Sequence, residues 1–356
     1  MLIEENKPLA PFTTFGIGGP ARWFVQAASE DEIAEAAAWA GERGVALFVL
    51  GGGSNLLVSD AGFKGLVLRM ALRGIAVEDA SNRPGHTIYR AAAGEDWDAF
   101  VERAVQDNCA GVECLAGIPG TVGGTPVQNV GAYGQEVSSA IERVRAFDLQ
   151  EHAFVEFAAA ECGFSYRRSR FNSVDRGRYV VARVDYRLTP GGAPTVRYAD
   201  LQRVLAESRK EGRELSLAEV AAVVRRVRQS KGMLMVEGDS DCRSAGSFFK
   251  NPVVDEEQLR QIAAGSEKEP PRFPAGPGAE NPGRVKVPAA WLIEQAGFAK
   301  GYALGSAAIS SRHTLALTNR GGASSADILA LAAEITAAVE ARFGIRLEME
   351  PVMLGF

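Results

Sequence analysis

The apolar positions of this chain change period several times, and the changes mark its elements. Residues 45–50 read VALFVL, a short continuous apolar run stopped by three glycines, as a buried strand would be. Ahead of it, residues 29–42 carry apolar side chains at helical spacing behind Ser29 and Glu32, a capping-box pair. Residues 66–68 form a second strand candidate. Further strands are expected at 87–92, 141–148, 153–157 and 179–188. Helices are expected at 97–106, 200–209 and 216–228, the last opened by Ser216 and Glu219. The final third adds a helix at 289–296, a strand at 314–317, a long helix at 327–342 behind Ser324, and a strand at 346–350. Pro351 ends that last strand or leaves it at a sheet edge. The charged, proline-rich stretch 265–282 reads as a flexible surface connection. No internal repeat is evident. The order of elements predicts an α+β protein in three parts: residues 1–70, 71–232 and 233–345.

Composition narrows the class. With 356 residues the chain is too long for one ordinary core, and 46% hydrophobic with 23% charged residues is a globular balance. A formal charge of −5, from 39 basic and 44 acidic residues, gives no reason to expect nucleic-acid binding. Glu4, Glu5 and Pro8 stand where an export signal would be basic and then apolar, and no window has the apolar length to cross a bilayer. A cytoplasmic protein without stable membrane association is expected. Cys109, Cys114, Cys162 and Cys242 are spread irregularly and read as structural thiols, with no spacing suited to a metal.

Two glycine tracts carry the first chemical signal. Gly51-Gly52-Gly53-Ser54-Asn55-Leu56 follows the strand candidate directly. Consecutive glycine amides can turn towards one oxyanion, and Ser54 and Asn55 add side-chain donors. The spacing fits neither a GxGxxG turn nor a Walker A loop, so the residues leave a pyrophosphate cradle and a plain tight turn both open. The longer tract, residues 117–134, reads GIPGTVGGTPVQNVGAYG. Gly117, Gly120, Gly123, Gly124, Gly131 and Ala132 keep bulk away from the backbone, as a ligand pressed against it would require; Thr125 is interleaved with the glycines and Pro119 stiffens the path. Gln128, Asn129 and Tyr133 offer polar groups to a planar heterocycle. Ordering so long a glycine-rich loop opposes chain entropy and calls for something to fix it.

Three further places have reactive groups. Tyr166 and Arg167 could hold a carboxylate, the arginine bidentately, although in isolation Arg167 reads first as a surface or pairing residue. Ser247, in AGSFFKNP, lies between glycine and two aromatics; without a GxSxG elbow it suits proton delivery better than nucleophilic attack, and a plain turn hydroxyl is the other open reading. Glu348 and Glu350 share one face of the last strand candidate, where either could manage a proton or a charge, or both could be an ordinary exposed pair. His86, His152 and His313 read as structural or exposed.

Taken together, GGGSNLL, IPGTVGGTPVQNVGAYG, FSYRRS, AGSFFKNP and LEMEP resemble the UDP-N-acetylenolpyruvoylglucosamine reductases in content and in order, along nearly the whole chain. The resemblance implies a two-part FAD-binding unit of the vanillyl-alcohol oxidase type, with residues 346–356 joining the first part, and a C-terminal α+β substrate-binding domain. It implies noncovalent FAD held by the two glycine tracts and NADPH as reductant. The flavin N5 hydride would go to C3 of the enolpyruvyl UDP-sugar, and C2 would be protonated to give UDP-N-acetylmuramate. In that scheme Ser247 is the acid, and Arg167 with Glu348 manages the charge. Tyr166, Tyr198, Lys231 and Asn251 contact substrate, and the protein is a monomer. Ala199 stands where the family more often has glycine, and Pro351 follows the two acids where the family has a proline between them. Another flavoprotein of the same cofactor fold, an oxidase of a sugar or hydroxy acid, is the alternative.

Overall fold

Helices begin where short polar side chains can cap them. In the computed structural model, which describes residues 1–79, 85–197, 199–208, 215–275 and 283–356, Ser29 accepts the Glu32 amide at 3.2 Å and opens α1, Glu30–Glu42. Asp96 accepts the Ala99 amide at 2.9 Å and opens α2, Trp97–Gln106. After α3, Ala199–Ser208, the Ser216–Glu219 box starts α4, Leu217–Ser230. The nine-residue α5, Glu256–Ala264, is capped by Asp255 and Gln258. Its sequence hid it, because Ile262 is its one buried side chain. Pro288 leads into α6, Ala289–Gln295, and Ser324 with Asp327 starts α7, Ser325–Phe343, which stops at left-handed Gly344.

The chain divides into two compact units. The first comprises Met1–Lys7, Arg22–Gly52 and Lys64–Gln229; the second comprises Pro8–Ala21, Gly53–Phe63 and Ser230–Phe356. In the first, a four-stranded sheet runs in the order Glu4–Pro8, Pro20–Ala27, Phe63–Met70, Leu47–Leu50, the last two parallel. Its larger sheet runs Ala153–Ala158, Ile141–Asp148, Tyr179–Pro190, Thr87–Ala92, Ile75–Asp79, all antiparallel, with Cys109–Ala110 also paired to Tyr179–Pro190. Trp97 and Phe100 of α2 stack at 5.3 Å, and Phe100 lies 4.6 Å from Tyr186, so the helix bearing Asp98 is fixed to the sheet by its aromatic face. The four cysteines are buried and free.

The second unit has small sheets around α7. Ile328, Leu331, Ala332, Ile335, Val339 and Phe343 form its buried stripe at helical spacing. Phe248 and Phe249 are both buried, with Phe15 at 6.3 Å from Phe248. Two strand expectations shift here. The strand at 314–317 is observed as Leu317–Asn319, because the Ala316 amide closes a turn onto the His313 carbonyl. The strand at 346–350 is reduced to a single bridge, Phe249 to Met349, and the regular strand is Val352–Leu354, parallel to Leu56–Val58. Pro351 has no amide to donate, so it separates two pairings rather than ending one. Residues 276–282 of the expected connection lie outside the described residues. Among the described residues, no helix is long and apolar enough to cross a membrane.

Candidate functional site

In the first unit the two glycine tracts meet. A Cβ on Gly52 would fall 2.6 Å from Gly120 Cα, and one on Gly51 would fall 2.7 Å from Thr121 Oγ1. Only glycine allows this approach. The second tract is pinned from outside: the Val122 amide donates to Glu95 and the Gly123 amide to Ala93. Gly117 is gripped at both ends, its amide donating to Asp98 at 2.6 Å and its carbonyl accepting from Arg228 Nε at 2.9 Å. Burial pushes the Asp98 carboxyl up, while the Gly117 amide and the Arg225 guanidinium pull it down. At the meeting point Thr121 Oγ1 is buried without a hydrogen-bond partner among the described residues. A buried hydroxyl so placed, beside backbone that has no side chains, fits a polar ligand lying in the cradle. These residues suit FAD.

Two residues of the tract do not face a ligand with their side chains. Thr125 is buried, and its hydroxyl bonds the Val122 carbonyl at 2.8 Å and Tyr186 at 2.7 Å. Asn129 was expected to offer its amide to a heterocycle; instead that amide is bound by Glu136, Ser165 and Ser138. In both, burial makes protein partners the only way to satisfy the polar atoms.

Arg167 stands at φ +56 in a turn closed by the Ser165 and Arg168 amides. A non-glycine residue there costs about 1 kcal/mol, and its neighbours must hold it. Its Nη2 donates to the Gly131 carbonyl at 3.0 Å, and its guanidinium lies 5.4 Å from the Tyr166 ring. Tyr133, at φ +51, is a second left-handed residue of the same region, and its hydroxyl bonds Arg228.

In the second unit, Gly53 at φ +62 lies so near Phe12 that a Cβ would sit 1.8 Å from that carbonyl. Asn55 Nδ2 donates to the Glu350 carbonyl at 3.4 Å, and Leu56 pairs with Val352. Ser247 is half-buried between left-handed Gly246 and Phe248, whose amide donates to Leu315 at 2.7 Å. Asn251 Oδ1 accepts the Ala289 amide at 2.9 Å and so caps α6. Lys231 follows α4 and faces His313, whose ring is pushed down to about 4 by burial, then by the Lys231 and Lys300 charges. Tyr198 lies outside the described residues.

The two tail carboxylates part company. Glu348 is 71% exposed and ion-paired with Lys250; a solvated, neutralised carboxylate is poorly placed to manage a proton in a cleft. Glu350 is half-buried, and its amide donates to the Phe248 carbonyl at 2.9 Å, which registers it against the residue next to Ser247. The geometry favours Glu350 over Glu348.

Comparisons with known proteins show which family the chain belongs to. A family profile described as FAD binding domain matches residues 21–151, and one described as UDP-N-acetylenolpyruvoylglucosamine reductase, C-terminal domain, matches residues 238–354. The reductase of that name from Thermobifida fusca is 46% identical over 360 residues, spanning 99% of this chain and 98% of that one. The chain belongs to the UDP-N-acetylenolpyruvoylglucosamine reductase family. The Streptomyces coelicolor reductase is likewise 46% identical across 99% of this chain. The crystal structure of the Thermus caldophilus reductase superimposes over 99% of both chains with a TM-score of 0.67 at 26% identity. Membership makes this an FAD-binding reductase of α+β architecture.

The reductase has one further candidate that belongs to no sequence motif. Arg228 is 8% exposed and lies on the same face of α4 as Leu217, Val220, Ala221 and Val224. Burial pulls its basicity down, and Tyr133 and Asp98 act against that. An arginine at the i+4 position of an apolar stripe was the available signal.

Proposed function

We propose that the protein reduces the enolpyruvyl group of UDP-N-acetylglucosamine enolpyruvate to UDP-N-acetylmuramate at the expense of NADPH, a step of peptidoglycan precursor synthesis. The observation carrying this reading is the 46% identity over 99% of the chain to a reductase of that name. FAD, when bound, supplies the redox chemistry by taking a hydride from NADPH and delivering one to C3 of the substrate. The chain's own residues do the rest. The backbone of Gly51, Gly52, Gly53, Gly117, Gly120, Gly123 and Gly124 holds the cofactor, with Ser54 and Gln128 as side-chain donors. Arg167 takes the substrate carboxylate bidentately and compensates the charge that spreads into it from C2. Ser247 gives its hydroxyl proton to C2, and Glu350 returns a proton to Ser247. Lys231, Tyr166, Asn251 and Tyr198 bind the UDP-sugar, Lys231 as a point charge for pyrophosphate. A three-part division by function, residues 1–70 with 346–356, then 71–232 and 233–345, is part of this reading. We take the protein to be a cytoplasmic monomer.

Purified protein loaded with FAD should oxidise one NADPH per enolpyruvyl UDP-sugar consumed. Hydrogen peroxide formed from a simple sugar or hydroxy acid, without NADPH use, would mark it as an oxidase. Glu350→Gln should slow turnover by about a hundredfold, whereas Glu348→Gln stays within about twofold. Steady-state rates of the two variants, side by side, decide between the carboxylates. The reverse order would restore Glu348.

A further inference from the structure

The Asn129 side chain is turned into the protein. It is fully buried at φ +45. Its Nδ2 donates to Glu136 Oε2 at 2.9 Å and to the Ser165 carbonyl at 3.0 Å, and its Oδ1 accepts from the Ser138 amide at 3.1 Å. Both amide hydrogens and one oxygen lone pair are thus used inside the protein. Ser165 is the first residue of the turn in which Arg167 holds its left-handed backbone, and Asn172 Nδ2 donates to the Arg167 carbonyl at 3.1 Å from the other side. Arg167 Nη2 returns to the Gly131 carbonyl. Gly131 belongs to the hairpin Gly131–Ala132 and Gln135–Glu136, in which Glu136 is its direct partner. The contacts therefore close a ring: Asn129 to Ser165, along the turn to Arg167, across to Gly131, over the hairpin to Glu136, and back to Asn129. A Cβ on Gly131 would meet Glu136 Cγ at 2.9 Å and Arg167 Nη1 at 3.4 Å, so the ring is packed tightly on that face.

We propose that Asn129 is a positioning residue for Arg167, tying the glycine-rich tract to the turn that presents the guanidinium, and that its side chain does not contact the flavin. The turn has little regular structure of its own, so its placement depends on the Ser165 carbonyl being held. The Glu136 carboxylate orients the Asn129 amide so that one N–H points at that carbonyl. Loss of the link leaves the cofactor cradle, which is pinned separately through Glu95, Ala93, Asp98 and Arg228. It frees the arginine to wander.

This inference rests on the reading of Arg167 as the carboxylate partner, and its test keeps the two apart. Asn129→Ala and Arg167→Met are made singly and together in FAD-loaded enzyme. FAD content, the flavin absorption spectrum, the rate of flavin reduction by NADPH, and the rate of reoxidation by enolpyruvyl UDP-sugar are measured for each. Asn129→Ala should keep its FAD and parental spectrum and be reduced within about twofold of the parental rate, yet reoxidise about ten- to a hundredfold more slowly. Added to Arg167→Met, it should cause less than about a further twofold loss. Altered FAD content or spectrum with normal reoxidation would make Asn129 a flavin contact, and multiplying losses would make it independent of Arg167; either overturns the proposal. Should Asn129→Ala not fold, the exchange N129D/E136Q carries the same test. It rebuilds the mutual hydrogen bond in reverse and keeps the acceptor for Ser138, while removing the donor to Ser165. If Arg167→Met alone reoxidises at the parental rate, the reading of Arg167 is what has failed.

Discussion

Ser247→Ala is expected to bind FAD and accept electrons from NADPH at the parental rate while losing about 10²- to 10⁴-fold in reoxidation by enolpyruvyl UDP-sugar. The side chain is half-buried, and its backbone is fixed on both sides. Gly246 holds a left-handed turn at φ +72, and the Phe248 amide is tied to Leu315. Phe248 and Phe249 bury their rings in the core of that unit, so alanine at 247 leaves the local path unchanged. Only the hydroxyl goes. Among the described residues that hydroxyl makes no hydrogen bond, and it is therefore not a structural support whose removal would unfold the loop. Rapid-mixing measurement of the two half-reactions separates chemistry from binding. Reoxidation at the parental rate would place the proton donor elsewhere.

Arg167→Met has the second large effect. A guanidinium that pairs with the substrate carboxylate serves both binding and charge compensation, so KM for the UDP-sugar should rise and kcat should fall, with kcat/KM down by about 10³-fold. Arg167→Lys should recover little, because an ammonium lacks the planar fork. Ser247→Ala, in contrast, should lower kcat with KM nearly unchanged. Flavin reduction by NADPH stays intact in both. A rise in KM for NADPH alone would assign Arg167 to the wrong substrate.

Much of the framework is legible along the chain because it depends on local pattern. Trp97–Gln106 and Ile141–Asp148 occur at their expected bounds, since a cap, an apolar period and a breaker all agree there. The serine caps of α1, α4 and α7 are of the same kind. Glu4–Pro8 was invisible: EENKP has no apolar alternation, and it forms an edge strand held by its pairing to Pro20–Ala27. The site divides in the same way. Glycine tracts announce close approach, yet nothing local tells that Gly52 is met by Gly120. Period two puts Glu348 and Glu350 on one face, but Lys250, almost a hundred residues earlier, ion-pairs with Glu348. Asn129 has the chemistry of a ligand donor; Glu136 and Ser165 turn it inward. Arg228 is one of three arginines in α4, and burial sets it apart. In each of these cases a partner remote in sequence decided the role.

The electrons of the reduced flavin have one predicted destination, the enolpyruvyl UDP-sugar. Holoenzyme reduced with one equivalent of NADPH, with oxygen excluded, is mixed with enolpyruvyl UDP-sugar, and flavin absorbance and product are followed together. The predicted result is full return of the oxidised flavin spectrum with one UDP-N-acetylmuramate formed per flavin. A flavin that stays reduced until air is admitted, with the sugar unchanged, would contradict it.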